Sequence, residues 1–122
     1  MTRPPRVLLV SGEYPPMEGG VADFTRLLGC AMAEQGAEVH VLTSTRASDG
    51  APPAPPVCHP LGGSWRWAPL YATMRRLLRA VRPDVVNVQY QTAAYGMHPA
   101  VNLLPCVFPR VPFVTTFHDL RE

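Results

Sequence analysis

Residues 6–43 read RVLLVSGEYPPMEGGVADFTRLLGCAMAEQGAEVHVLT, and this stretch decides the fold. It opens with a continuous apolar run, Arg6 to Val10, which is typical of a strand covered on both faces in a parallel sheet. Apolar residues at helical spacing follow, ending near Gly36, and the alternating segment Glu38 to Thr43 then predicts a second strand. The predicted buried face of the helix comprises Val21, Phe24, Leu27, Leu28, Ala31 and Met32. A strand, a helix and a strand in this order predict parallel pairing through a right-handed crossover.

The middle of the chain predicts a long loop followed by a second helix. Residues Ser48 to Pro60 are mostly Pro, Ala, Gly and Ser, which cannot sustain a helix, although Val57 to His59 fits a short third strand. A helix is predicted from Pro69 to Arg82, where Pro83 stops it. Its apolar positions are Leu70, Met74, Leu77, Leu78 and Val81.

The last third of the chain predicts two more strands, Val85 to Gln89 and Phe113 to Phe117. Between them, Pro99 to Phe108 is predicted to be a helix with a kink at Pro105. The whole order predicts an α/β protein with a Rossmann-like parallel sheet and flanking helices, in one domain over residues 1–122. Because only five residues follow the last strand, no helix remains to cover it, and we expect this domain to be incomplete.

The composition is that of a folded protein, since 47% of the residues are hydrophobic and 16% are charged. No apolar run approaches the roughly 18 residues of a membrane helix, so a cytoplasmic location is expected by default. Cys30, Cys58 and Cys106 lie far apart, without the CxxC spacing of a zinc site or a redox pair. No metal site is predicted.

Positive charge is concentrated in one segment of the chain. All 11 basic residues are arginines, and five of them lie between Asp49 and Asp84, where no acid occurs. The five are Arg66, Arg75, Arg76, Arg79 and Arg82. The remainder of the chain holds six arginines and nine acids. This regional charge indicates a local anionic partner, and no nucleic-acid partner is expected.

Candidate site residues lie where the predicted strands end, because open parallel sheets bind ligands beyond the carboxyl ends of their strands. If the first strand is central and the Val85 strand lies beside it, three loops converge: Ser11 to Gly20, Tyr90 to Gly96, and the residues after Phe117. The side chains placed to contact a sugar or an acceptor are Glu13, Tyr14, Gln89, Tyr90 and Gln91. They could as easily satisfy local backbone groups.

Two features at these loops carry specific chemistry. Gly19 and Gly20 precede a helix start, where free N–H groups attract a phosphate, although a flexible turn after two prolines explains them equally well. His118 is suited to touch a polar substrate with Asp119 orienting its imidazole, the alternative being a solvated or helix-capping role. The chain contains no lysine, which excludes a phosphate loop ending in Gly-Lys, and no GxGxxG, which counts against a nicotinamide site.

Three segments together resemble the start of family 4 glycosyltransferases of the GT-B fold. They are the stretch quoted above, RPDVVNVQYQ at residues 82–91, and VPFVTTFHDL at residues 111–120. The resemblance lies in the order of a strand, PPxxGG, an amphipathic helix, GxEVHVLT, PDVV and TxHD, and it covers nearly the whole chain.

The resemblance implies two Rossmann-like domains facing a cleft, and transfer of a sugar from a nucleotide-sugar donor to an acceptor. It implies that no metal or other cofactor is needed and that the anomeric configuration is commonly retained. By the same resemblance, Gly19 and Gly20 approach the donor diphosphate, and His118 contacts the transferred sugar or the acceptor. The carboxyl-terminal donor-binding domain is absent from residues 1–122, so we expect a hexosyltransferase that is inactive as this piece alone.

The segment Trp65-Arg66-Trp67 falls in the variable acceptor region of those relatives. Two tryptophans beside an arginine-rich helix predict peripheral contact with an anionic membrane and a lipid-linked acceptor. The contact would use Trp65, Trp67, Arg75, Arg76 and Arg79. Alternatively, the arginines form a solvated face and the tryptophans are partly core.

A different class of function is a non-enzymatic α/β module, either nucleotide-binding or receiver-like. A receiver should carry an acidic cluster after its first strand and a lysine after its last. Glu13 is the only acid directly after the first strand, and lysine is missing altogether. A sugar-nucleotide epimerase would need the glycine fingerprint that this chain lacks.

Overall fold

The computed structural model describes residues 3–44 and 55–118 of the chain. Its strands are β1 (Arg6–Ser11), β2 (Glu38–Thr43), β3 (Val57–Pro60), β4 (Val85–Tyr90) and β5 (Phe113–Phe117). Its helices are α1 (Gly20–Glu34), α2 (Trp67–Val81) and α3 (Leu104–Val107), and 3-10 turns occupy Thr92–Tyr95 and Pro99–Leu103. The described strands form one parallel sheet in the order β3-β2-β1-β4-β5. The predicted α/β class, with a Rossmann-like parallel sheet and flanking helices, is confirmed.

Strand β1 lies at the centre of the sheet. It pairs with β2 on one side and with β4 on the other, so that Val7 lies between Val39 and Val85. Every residue from Val7 to Ser11 is buried, as the uninterrupted apolar run predicted. Because the chain adds strands first on one side of β1 and then on the other, a crevice opens at the carboxyl end of this switch point.

The two faces of the sheet carry separate cores. On one face, Leu8 and Leu42 pack with Leu70, Met74 and other residues of the α2 side. On the opposite face, the core contains Val7, Leu9, Tyr14, Val39 and Val41, with Leu28 and Met32 of α1 against it. Burying each large aliphatic side chain stabilises the fold by about 1.5–3 kcal/mol, so both helices are held firmly against the sheet.

Helix α1 has the predicted extent, but its predicted buried face is confirmed only in part, since Val21 is buried and Leu28 and Met32 pack against the core. The buried residues are Val21, Ala22, Thr25 and Gly29, whereas Phe24 and Leu27 are 44% and 58% exposed and Ala31 is exposed as well. Small residues face the sheet because α1 lies very close to it. A Cβ on Gly29 would lie 2.7 Å from Cγ of Pro56 and 3.4 Å from Cδ1 of Leu9.

The remaining elements differ from the prediction mainly at their ends. Helix α2 begins at Trp67, two residues before the predicted start, and ends at Val81, where Arg82 adopts a left-handed conformation with φ of 52°. The short third strand is confirmed and extends to Pro60, although residues 48–54 of the Pro-rich loop lie outside the described part of the chain.

The predicted kinked helix from Pro99 to Phe108 was wrong in form. A 3-10 turn covers Pro99–Leu103, and α3 is a single α-helical turn that starts beside Pro105. Proline has no N–H to donate within a helix, so it is tolerated in the first turn and favours a new start over a kink.

Trp65 belongs to the core. Its side chain is buried against Tyr95, with the two rings 4.8 Å apart in an edge-on arrangement. The prediction that Trp65 is available to a membrane was therefore wrong, while Trp67 is exposed and packs its ring on Tyr71 and His98. None of the helices in the described ranges is long and apolar enough to cross a membrane.

Candidate functional site

A pocket of about 460 Å³ opens at the carboxyl end of the sheet. It is lined by Glu13, Gly19, Gly20, Val21, Phe24, Gln91 and His118. These residues come from the loop after β1, from the first turns of α1, and from the residues directly after β4 and β5. Three separate strand ends therefore converge on one site, as the sequence predicted.

Buried hydroxyl groups hold the first of these loops in place. The Ser11 hydroxyl donates to the backbone oxygen of Glu13 at 2.6 Å, and the Thr25 hydroxyl donates to the backbone oxygen of Val21 at 2.7 Å. The two hydroxyl oxygens lie 3.3 Å apart. Because both side chains are fully buried, they fix Glu13 relative to the first turn of α1.

The two glycines at the start of α1 differ in their surroundings. Gly19 has a φ of 148°, and a Cβ there would lie 2.8 Å from the Oε2 atom of Glu13. Among residues 3–44 and 55–118, a Cβ on Gly20 would meet nothing within 4 Å, and no side chain hydrogen-bonds to this helix end. The amide groups of the first turn are therefore open to a ligand beside Gly20, while the Glu13 carboxylate covers Gly19.

The loop after β1 contacts the loop after β4 through backbone atoms. A Cβ on Gly12 would lie 2.2 Å from the backbone oxygen of Ala94, so only glycine permits this approach. Directly behind it, the buried Tyr95 hydroxyl lies 3.0 Å from the backbone oxygen of Val10 and 2.5 Å from that of Gln89. Burial raises the pKa of Tyr95 far above its usual value, so the hydroxyl stays protonated and ties the ends of β1 and β4 together.

His118 is fixed by three contacts. Its backbone N–H donates to the backbone oxygen of Tyr90 at 2.9 Å, and the ring of Phe24 packs edge-on against the imidazole at a centroid distance of 5.1 Å. Its Nε2 atom lies 2.7 Å from Oε1 of the fully buried Gln89. The imidazole is thus held at the pocket wall by α1, β4 and the end of β5.

A chain of amide hydrogen bonds determines which nitrogen of His118 carries the proton. The Nδ2 group of Asn87 faces the backbone oxygen of Val114 at 3.1 Å and the Thr116 hydroxyl at 3.2 Å. A carbonyl oxygen can only accept, so the Asn87 atom that faces it must be the NH₂ group. The Asn87 oxygen then accepts from Nε2 of Gln89, and this leaves Oε1 of Gln89 as an acceptor toward the imidazole.

It follows that neutral His118 carries its proton on Nε2. In the described ranges no residue hydrogen-bonds its Nδ1 atom, which is left with a free lone pair. The site therefore combines a carboxylate and an unprotonated imidazole nitrogen, both hydrogen-bond acceptors, with the side-chain amide of Gln91. Such a set is suited to bind hydroxyl groups and to take a proton from one of them.

The remaining predicted site residues lie elsewhere. Tyr14 is buried in the core on the α1 side, where burial, reinforced by neighbouring Cys58 and Cys30, raises the pKa of its phenol well above the usual value. Tyr90 points to the opposite face of the sheet from Gln89, because successive side chains of a strand alternate, and it packs on Tyr95 and Phe117. Asp119 lies outside the described residues.

Sequence reasoning missed Phe24 as a site residue. It had been assigned to the buried face of α1, and its large apolar side chain carries no signal that distinguishes a pocket wall from a core position. Gln89 was predicted to contact a ligand, but it lies beneath the pocket wall and acts on His118.

Comparison with known proteins assigns the chain to a family. Residues 18–122 match the family model described as Glycosyltransferase Family 4. This range includes Gly19, Gly20, Gln91 and His118, whereas Glu13 precedes it. A search of curated proteins finds no match. The parallel sheet fits the amino-terminal domain of the GT-B fold, and because the family match spans most of the chain, this protein belongs to glycosyltransferase family 4.

Proposed function

We propose that this protein takes part in transferring a sugar from a nucleotide-diphosphate sugar to a hydroxyl group of an acceptor. The observation that carries the proposal is the pocket in which Glu13, Gln91 and His118 face the start of α1. Membership of glycosyltransferase family 4 supports the same reaction class.

The polar groups of the pocket suit a hydroxyl-rich ligand. The Glu13 carboxylate accepts hydrogen bonds from hydroxyls, and the Gln91 amide both donates and accepts. The free Nδ1 lone pair of His118 accepts from a hydroxyl of the transferred sugar or of the acceptor. The exposed ring of Phe24 offers an apolar surface for the C–H face of a sugar ring.

The geometry favours one side of the helix start for the donor diphosphate. A phosphate placed over Gly19 would meet the Glu13 carboxylate, and like charges repel strongly when partly shielded from water. Over Gly20 no residue of the described part of the chain obstructs it, and the free amides and dipole of α1 attract negative charge. We therefore place the diphosphate at Gly20 and the sugar or acceptor hydroxyls at Glu13.

Further features of the reaction follow from the family resemblance. We propose transfer of a hexose without a metal or other cofactor and with retention of the anomeric configuration, to a sugar or a lipid-linked acceptor. Most donor contacts would come from a second domain of the GT-B type.

The test uses the full-length protein with a panel of nucleotide-diphosphate sugars, and follows release of the nucleoside diphosphate and binding of the donor separately. His118→Ala is expected to lower turnover much more than donor binding, and Glu13→Gln to raise the KM for the acceptor. The control is Glu34→Gln, an exposed carboxylate at the far end of α1, which should change neither. Unchanged turnover in His118→Ala would remove His118 from the mechanism.

The same experiment separates the transferase from a non-enzymatic module. Donor binding without turnover, across donors and acceptors, would favour a nucleotide-binding module over an enzyme.

A further inference from the structure

A groove of about 560 Å³ runs between the ends of α2 and α3, away from the pocket described above. Its rim carries four arginines, Arg75, Arg79, Arg82 and Arg110. Its apolar lining is formed by Leu78, Val107, Phe108 and Val111. Leu78, Phe108 and Val111 also pack against the core, so the groove has a fixed apolar floor beneath a ring of positive charge.

None of these four guanidinium groups has an acidic partner among residues 3–44 and 55–118. The ion pairs in that part of the chain join Arg3 to Asp84, and Arg6 and His40 to Glu38. All four rim arginines are exposed, and the exposed Arg76 extends the same charge along the outer face of α2. Uncompensated like charges that line one groove favour the binding of an anion.

The groove lies at the opposite end of the sheet from the pocket. Arg82 lies shortly before β4, and Pro109 to Val111 lie shortly before β5, so the groove sits at the amino ends of both strands. His118 follows the carboxyl end of β5. A strand of five or six residues spans about 16–20 Å. An anion in the groove therefore cannot be the diphosphate of a donor bound beside Gly20.

The chemistry of the groove fits one kind of partner, an acidic phospholipid surface. Guanidinium groups bind phosphate in a bidentate manner, and the apolar floor can receive the first methylene groups of an acyl chain. Val107, 42% exposed on the outer side of α3, extends this apolar surface to the rim. We propose that the groove docks this protein onto anionic membranes through Arg75, Arg79, Arg82 and Arg110. This goes beyond the proposed transfer reaction and does not depend on it.

The test measures co-sedimentation of the full-length protein with vesicles of phosphatidylcholine, with and without phosphatidylglycerol, at low and high salt. Binding is expected only with phosphatidylglycerol and is expected to weaken with salt. Each arginine near such a surface is worth about 1 kcal/mol, so Arg79→Gln combined with Arg110→Gln should weaken binding about 30-fold. Val107→Ser should weaken binding at every salt concentration.

A charge-matched control distinguishes the groove from net charge. Arg26→Gln combined with Arg66→Gln removes the same charge from exposed positions outside the groove, on α1 and at the start of α2. This control should bind nearly as the parent protein does. Equal weakening by both pairs would overturn the proposal, and so would binding to a soluble polyanion such as heparin without binding to acidic vesicles. Nucleoside diphosphate release in solution should be unchanged in Arg79→Gln with Arg110→Gln, so the outcome is independent of the proposed reaction.

Discussion

The Nε2 atom of His118 lies 2.7 Å from the side-chain oxygen of Gln89, whose amide group is held in turn by Asn87. This arrangement predicts that neutral His118 is the Nε2–H tautomer. Nitrogen-15 chemical shifts of the labelled imidazole at high pH measure the tautomer directly. Gln89→Leu removes the acceptor and should raise the fraction of the Nδ1–H tautomer, because the hydrogen bond that holds the proton on Nε2 is lost.

The control for this prediction is Gln35→Leu, which removes an exposed glutamine at the end of α1 and should leave the tautomer unchanged. A predominant Nδ1–H tautomer in the parent protein would contradict the assigned hydrogen-bond chain. So would an unaltered spectrum in Gln89→Leu.

Gly12→Ala is expected to destabilise the protein. The new Cβ would lie 2.2 Å from the backbone oxygen of Ala94, and overpacking of this kind costs about 1–3 kcal/mol in the free energy of unfolding. Gly62→Ala is the matched control, since a Cβ there meets no described atom within 4 Å. Denaturant titration compares the two, and an equal stability for both variants would refute the close contact.

Tyr95→Phe should lower the free energy of unfolding by about 1–3 kcal/mol, because it removes a buried hydroxyl that donates a hydrogen bond to a backbone oxygen at the ends of β1 and β4. Tyr71→Phe removes a hydroxyl that donates to the backbone oxygen of Ala100 at 3.1 Å from a half-buried position. Water can replace that hydrogen bond more easily, so the loss should be smaller. Thermal or denaturant unfolding of both variants gives the comparison.

We predict that the free energy of unfolding decreases as the pH is lowered below about 6.5, because of His59. Burial, the neighbouring His40 imidazole and Arg76 lower the pKa of His59 below its usual 6.5. The Nδ1 atom of His40 lies 2.8 Å from its Nε2 atom, and the Glu38 carboxylate lies beyond His40. As the pH falls through 6.5, the unfolded chain takes up the proton first, so unfolding is favoured until the folded pKa is passed.

The measurement for this prediction is the free energy of unfolding by denaturant at a series of pH values from neutral to mildly acidic. His59→Gln should flatten the dependence in this range, since the glutamine amide can still hydrogen-bond to His40 without titrating. A parent protein whose stability is constant through this range would argue against a lowered pKa at His59.

The central strand could be predicted from the sequence because burial on both faces requires a continuous apolar run. Strand β1 is uninterrupted in its apolar character from Val7 to Val10, and all four residues are buried. The buried face of α1 could not be predicted in the same way. The buried residues include Ala22, Thr25 and Gly29, whose small side chains contribute little to a hydrophobic pattern. Phe24 dominates that pattern from an exposed position.

Part of the candidate site could be predicted for a topological reason. Glu13, Gln91 and His118 follow the ends of β1, β4 and β5, and those ends meet once the strands are parallel and adjacent. The direction of each side chain was not predictable from position alone. Tyr14 turned into the core and Tyr90 to the opposite face of the sheet, which depends on contacts that the local sequence does not encode.

The missing side chain at Gly12 has a mechanical consequence for the pocket. The loop that carries Glu13 and the loop that carries Gln91 touch there through backbone atoms, with no flexible side chain between them to absorb a displacement. A ligand that pushes on either wall must therefore shift both loops together. The two walls are expected to move together, so a substitution in either loop would alter how both walls respond to binding.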